Sequence, residues 1–223
     1  MTTIWNKIEE VAKLFESKFN ATGELIEGSI GTDYEWHNTL WSSPRYRRAH
    51  IEIVDNRETH KLYILHCTIF PHFNDPSPIF GFDAVCGPSR ISGAFCDFSA
   101  AGDPDHPMMR WFDNETQYYD WKRARVLPDW AQNIFSPSMV AAGSVQAGEE
   151  LDNLCELAIR TLDYYLKNVG NSQQDVADYH MAQNRYCHYQ KQNPHVIKSM
   201  VAMGVDEVKM RRFVDEVLFP EIK

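Results

Sequence analysis

Basic charge is scarce in this sequence. Its 22 lysines and arginines are outnumbered by 31 aspartates and glutamates, leaving a formal net charge of −9. Neutralising nucleic-acid phosphates requires the opposite balance, so general nucleic-acid binding is excluded, and an acidic protein partner is admissible only through a local basic patch. Long apolar runs are missing as well. None approaches the ~20 residues of a spanning helix, and the N-terminus lacks the charged-then-apolar form of a secretory signal, so no membrane association is expected. The five cysteines are an odd number without CxxC spacing, which points to reduced thiols in a cytoplasmic protein rather than a disulfide framework. There is no G-x-S-x-G, no Gly-rich phosphate loop and no dinucleotide fingerprint. Repeats and low-complexity linkers are absent too.

What is present fits a single domain over residues 1–223, long enough to bury roughly 70% of its unfolded surface. Aromatic residues make up 13% of the chain, a ring-rich core. Ile4, Trp5, Ile8, Val11, Ala12, Phe15 and Phe19 recur at helical spacing, with Thr2 or Thr3 as cap. Residues 20–44 read as short strands, and Arg45-Tyr46-Arg47-Arg48 as a basic cluster entering a strand. His50 to Val54, Lys61 to Phe70, the run ending at Val85, and Ile91 to Phe98 form a four-strand meander. A helix or long excursion is predicted from Pro107, and a short helix before Phe135. Further helices are predicted over Glu149–Leu166 (stopped by Gly170 and Asn171), Gln173–Asn193 and Val205–Leu218. A helix, a meander and then several helices predict a three-layer α/β/α sandwich around a central antiparallel sheet.

The second hairpin of the meander concentrates the chemistry. Leu65–Pro71 and Pro78–Val85 flank a loop rich in Pro, Asn and Asp, centred midway between Asn74 and Asp75. His66 and Asp83 are centred on the same point. In a symmetric antiparallel hairpin they face each other with Cβ atoms roughly 5 Å apart. If the Asp55–Thr59 turn gives an even register sum, His50 and Glu52 share their face. Centring the next hairpin on Gly87-Pro88-Ser89-Arg90 puts Ala94 opposite Asp83 and Ser92 opposite Val85, with Asp97 on the other face.

A zinc site fails on facing, because His66 and Cys67 are adjacent on a strand and point apart. His50-x-Glu52 lacks the P-C-x-x-C partner of a deaminase site. Two readings of the His66–Asp83 pair stay open: a buried pair that holds the sheet together, or a proton-delivery site in which neighbouring groups push each other's pKa values apart. The Arg45–Arg48 cluster, with Lys209, Arg211 and Arg212, is either a solvated surface or a docking patch.

Several ordered motifs resemble the ferredoxin-dependent bilin reductases. They are Arg48-Ala49-His50-Ile51-Glu52, Leu65-His66-Cys67-Thr68-Ile69-Phe70-Pro71, Pro78-Ile79-Phe80-Gly81-Phe82-Asp83 and Ile91-Ser92-Gly93-Ala94. Leu127-Pro128-Asp129-Trp130, Ile134-Phe135-Ser136, Tyr186-Cys187 and Asn193 continue the match. The pattern is most like the phycocyanobilin:ferredoxin oxidoreductase lineage and its compact phage-encoded PcyX branch. The resemblance implies a four-electron radical reduction of biliverdin IXα with no bound cofactor or metal, and nothing in the sequence demands more than a monomer. Reduced [2Fe-2S] ferredoxin supplies the electrons and the protein supplies the protons. The implied product is phycoerythrobilin via 15,16-dihydrobiliverdin, with phycocyanobilin, or a non-catalytic bilin carrier, as alternatives. By position, Asp83 is the central proton donor, His66 its partner, and Glu52 an acid near a vinyl-bearing ring. His50, Ser92, Asn193 and His195 are substrate-binding positions, His195 falling where the lineage can carry a lysine. The family's propionate-holding arginine after Ile-Phe-Ser falls at Gly143.

Overall fold

The structure is a computed structural model and describes residues 3–26 and 36–222. Seven antiparallel strands lie in sequence order: β1 (Glu24–Leu25), β2 (His37–Ser42), β3 (Tyr46–Asn56), β4 (Leu62–Pro71), β5 (Ile79–Cys86), β6 (Ile91–Ser99) and β7 (Val140–Ala142). The predicted meander is therefore its centre, widened by β1 and β2 on one side and β7 on the other. Part of the short-strand region expected over 20–44 lies outside the described residues.

Helix α1 (Ile4–Thr22) begins where Thr3 accepts a hydrogen bond from the Asn6 N–H. Its stripe of Ile4, Ile8, Val11, Ala12, Phe15 and Phe19 is buried against one sheet face, in the same cluster as α2 (Pro107–Thr116) and α3 (Glu149–Asn168). Leu65, Cys67, Ile69, Phe80, Phe82 and Phe98 of the sheet belong to that cluster. The opposite face meets α4 (His180–Gln190), α5 (Pro194–Ala202) and α6 (Glu207–Phe213), with a π-helical turn at Val214–Leu218. Two helical layers enclosing one antiparallel sheet form the α/β/α sandwich that the alternation of elements predicts. The helix expected from Gln173 starts only at His180. Upstream of it, Tyr179 N–H donates to the Phe73 carbonyl (2.6 Å) and Gln174 N–H to that of Asn74 (2.9 Å), so these backbone groups serve the β4–β5 loop instead.

The basic cluster entering β3 is tied into the fold by its own contacts. Arg45 donates to the carbonyls of Val169 (2.8 Å) and Lys167 (2.7 Å), capping the C-terminal end of α3, where a cation complements the helix dipole. Arg47 occupies a β-bulge; it lies over the Phe70 and Phe73 rings at 4.7 Å from each centroid and donates to Gln183 (2.7 Å). Arg48 is buried, and one of its nitrogens donates to the Val217 carbonyl of the π-helical turn. Gly170, at φ 81°, follows α3 because its α-carbon passes under the Arg45 backbone. A Cβ there would lie 2.8 Å from the Arg45 α-carbon.

Candidate active site

The register of β3, β4, β5 and β6 builds the site. Glu52 is opposite His66 and His66 is opposite Asp83, so three titratable side chains from three consecutive strands stand in one row. Facing alternates along each strand. On β4, Ile64 and His66 are half-buried while Tyr63, Leu65 and Cys67 are buried on the packed face; on β5, Gly81, Asp83 and Val85 alternate in the same way with Phe80, Phe82 and Ala84. The half-buried set floors a cavity of about 1070 Å³ between the sheet and the C-terminal helices. Its far wall includes Tyr186, Gln190, Asn193, Leu218 and Phe219.

The next pairing differs from the expected one. Asp83 is opposite Phe95 and Val85 is opposite Gly93, whereas Cys86 pairs with Ile91. The turn-centred register therefore holds only next to the turn. Ser92 is the extra residue of a β-bulge, and beyond it every β6 side chain changes face. Ala94 is in the packed core, not beside Asp83. Asp97, expected on the far face, is opposite Gly81 and lines the cavity. Its carboxylate accepts from Ser99 (2.5 Å) and from the Ser136 hydroxyl (2.5 Å) and backbone N–H (3.1 Å). Asp97 thereby ties the Ile134–Ser136 segment to the cavity edge.

Ser92, Asn193 and His195 all line the cavity. The Ser92 hydroxyl donates to the Val85 carbonyl (3.0 Å). Asn193 caps α5 by accepting from the His195 N–H (3.0 Å), so its side-chain oxygen is committed while its amide N–H groups are not spent on that contact. His50 is the exception among the expected site residues. It shares the face but sits fully buried beyond His66, with ring centroids 6.3 Å apart, and does not line the cavity. Its Nε2 meets Asn38 Oδ1 (3.0 Å), and Phe213 lies 6.3 Å from its ring. His50 thus stands behind the row, packed against His66. Cavity residues that the sequence reading did not single out include Phe95, Arg125 and Gln190. Phe95 and Asp97 follow from β-strand parity once the bulge is known. Arg125 lies outside any strand named from sequence, and nothing local marks it.

Burial sets the proton inventory. It raises the Glu52 carboxyl to about 8, against a 2.7 Å hydrogen bond from Trp36 Nε1–H that favours the anion; Asp83 nearby raises it further. It also raises Asp83 to about 7, opposed by the Ala84 backbone N–H and by Arg125. His66 moves the other way, to about 4, because burial and then the Arg48 guanidinium disfavour an imidazolium. His50 is lowered well below its ordinary value by burial, Arg48 and His66. Near neutral pH Glu52 therefore mostly holds its proton, Asp83 is poised between its two forms, and the imidazoles are neutral. His66 and Asp83 do not form an ion pair: no hydrogen bond joins their side chains among the described residues, and His66 Nε2 has no protein partner. A neutral imidazole beside two protonatable acids can accept, relay and regain a proton.

A sequence model of the family described as ferredoxin-dependent bilin reductase matches residues 1–220. The chain belongs to that family. Among relatives of this bilin reductase, phycocyanobilin:ferredoxin oxidoreductase of Prochlorococcus marinus (strain MIT 9313) is 28% identical over 205 residues, 89% of this chain and 76% of that protein. The Gloeobacter violaceus protein of the same name is 28% identical over 202 residues, covering 87% and 78%. Two solved structures share the bilin reductase's fold. PcyX superposes with a TM-score of 0.69 at 24% identity, covering 97% of this chain and 99% of that one. Phytochromobilin synthase from tomato, in complex with biliverdin, gives 0.74 at 13% identity, covering 95% and 82%. The bilin reductase is thus a ferredoxin-dependent oxidoreductase built on an antiparallel-sheet sandwich.

Proposed function

We propose that the protein reduces biliverdin IXα by four electrons, taken singly from reduced [2Fe-2S] ferredoxin, with protons delivered from Asp83 and Glu52 and relayed by His66. The observation that supports this reading is the in-register row Glu52–His66–Asp83 on the floor of a cavity of about 1070 Å³, its carboxyls titrating near neutral pH and its imidazole neutral. Each of the two double bonds reduced takes two electrons and two protons. Ferredoxin brings only electrons, so four protons must pass through the protein per product. A carboxyl near pH 7 that can both give a proton and be refilled suits that task. The radical intermediates are those expected when electrons arrive one at a time. The chain acts as one domain and as a monomer in this reading.

The product we propose is phycoerythrobilin, via 15,16-dihydrobiliverdin, as the motif resemblance to the compact branch implies. Phycocyanobilin is the second reading, favoured by the names of the sequence relatives. Anaerobic turnover of biliverdin IXα with reduced ferredoxin, followed by product chromatography, separates them; bilin binding with no reduction would sink the enzyme reading in favour of a carrier. In the same assay Asp83→Asn is expected to keep biliverdin affinity within a few-fold and to lose about 10²–10⁴ in turnover, the usual contribution of a positioned proton donor. Full turnover by that variant removes Asp83 from the central role.

A further inference from the structure

Glu52, Asp83 and Asp97 all line the cavity, and Glu52 is the one held by an indole. Trp36 directly precedes β2, and Asn38, two residues further on, is opposite Glu52 of β3. The indole is therefore a diagonal neighbour of Glu52, within reach of so long a side chain. Its Nε1–H donates to Glu52 Oε1 (2.7 Å), the hydrogen bond that the described residues give this carboxyl. The donor is itself fixed. The Phe213 ring of α6 meets it edge-on at 5.0 Å, and the Asn38 side-chain N–H donates to the Trp36 backbone carbonyl (3.2 Å). Trp36 is buried and does not line the cavity, whereas Glu52 does. The carboxyl thus bridges a fixed donor behind the row and the open space in front of it.

We propose that Trp36 is a positioning residue, one that commits Glu52 Oε1 as an acceptor and so leaves Oε2 to carry the proton delivered into the cavity. An indole N–H donates and cannot accept, so the proton of the neutral acid cannot lie between Oε1 and the ring. Glu52 then has one working oxygen and one direction of transfer instead of two interchangeable ones. The contact strengthens once the proton has left, because an N–H donor is worth more to an anion than to a neutral carbonyl oxygen. It therefore holds the carboxylate in place until it is refilled. This role rests on the reading in which Glu52 gives protons to a bilin, and it adds a residue that never touches the pigment.

Two measurements on the full chain test it. The first follows the indole N–H signals of the six tryptophans by nitrogen-15 NMR against pH. One signal is expected to move downfield as pH rises through about 8, where Glu52 ionises, to stand still there in Glu52→Gln, and to vanish in Trp36→Phe. Glu52 faces Asn38 of β2 and His66 of β4, with Asp83 one strand further on, so the Glu52→Gln chain separates its step from that of Asp83 near 7. No indole signal coupled to Glu52 overturns the proposal, and this comparison of wild type with Glu52→Gln decides even if Trp36→Phe does not fold. The second measurement is anaerobic turnover of biliverdin IXα with reduced ferredoxin across pH. Trp36→Phe keeps a ring against Phe213 but loses the donor. It is expected to slow turnover about tenfold, the rate equivalent of one hydrogen bond, and to move the alkaline limb upward, since the lost bond favoured the anion. Added to Glu52→Gln, it should cost nothing more. An unmoved limb, or a loss that multiplies that of Glu52→Gln, would mean that Trp36 only packs. A chain that titrates as expected but never reduces biliverdin removes the donor reading and the role of Trp36 with it. A chain that turns over while its indoles ignore Glu52 keeps that reading and rejects only the role of Trp36.

Discussion

The two faces of the central sheet are made from alternate residues of the same strands, yet they are built to opposite ends. One face is filled: Phe15, Phe80, Phe98, Phe112 and Tyr165 interlock, Phe98 stacking on Phe112 at 4.7 Å and meeting Tyr165 at 5.5 Å, all fully buried. The other face leaves a cavity above Ile64, His66, Gly81, Asp83 and Val85. The packed face carries three cysteines, Cys67, Cys86 and Cys96, whose thiols burial pushes far up and so keeps neutral. The cavity face carries carboxyls and imidazoles shifted toward the working range of pH. Stability and chemistry are thus assigned to opposite sides of the same backbone, and substitutions one residue apart should report on different properties.

The largest expected separation comes from the packed side. Phe98→Ala should cost about 3–5 kcal/mol in denaturant unfolding, because a fully buried ring leaves a void that its neighbours cannot close. The adjacent pair Leu65 and Ile64 sharpens the contrast. Leu65 is fully buried under α1 and α3, and Ile64 is half-buried on the cavity floor. Leu65→Ala should cost about 2–5 kcal/mol, against about 1 kcal/mol for Ile64→Ala, which opens no new closed void. Equal losses would mean that the cavity closes over Ile64 in solution.

A smaller effect is carried by pH. Asp83 and Glu52 have folded pKa values, about 7 and about 8, raised above their ordinary 3.8 and 4.5. Their contribution is therefore complete below about pH 4 and is lost as pH rises through 7 and 8. His66, lowered from 6.5 to about 4, acts in the opposite sense: its contribution is present above 6.5 and is lost as pH falls. The two slopes oppose one another in mildly acid solution, and only the carboxyl slope remains above 6.5. Unfolding free energy should decline from pH 6.5 to 8.5, by at most about 1.4 kcal/mol per pH unit for each carboxyl and less for half-buried Asp83. Glu52→Gln should flatten that decline and, by removing one of the opposing carboxyl slopes, steepen the rise of stability with pH between about 4.5 and 6.5. A wild-type profile with no alkaline loss would show that the carboxyls are already ionised in the folded protein.

The pairing of His66 with Asp83 was readable because the β4–β5 loop is symmetric about Asn74 and Asp75 and no bulge intervenes. Glu52 followed, since the β3–β4 turn gives an even sum. Asp97 was misplaced and Phe95 missed for one physical reason: the strand pair that starts as the Gly87–Arg90 turn dictates then takes in Ser92 as an extra residue, and the lone Gly93 beside it is a weak sign of a bulge. The arginines before β3 failed differently. Their density suggested a surface, but their partners are the end of α3, the Phe70 and Phe73 rings and the Val217 carbonyl, all distant in sequence. Arg125 was illegible because it lies outside any strand named from the sequence, and the space its side chain takes is left by the distant glycines 93 and 143.

The sheet's neighbour-only strand order has a kinetic corollary. Glu52, His66 and Asp83 come from successive strands joined by local hairpins, so two hairpin closures suffice to align them, with no crossover to wait for. The same economy makes alignment all-or-none. If β4 slid by one residue against both neighbours, Leu65 and Cys67 would face the cavity and His66 the oily layer beneath α1. Misassembly would be announced by loss of the core, long before any assay of turnover.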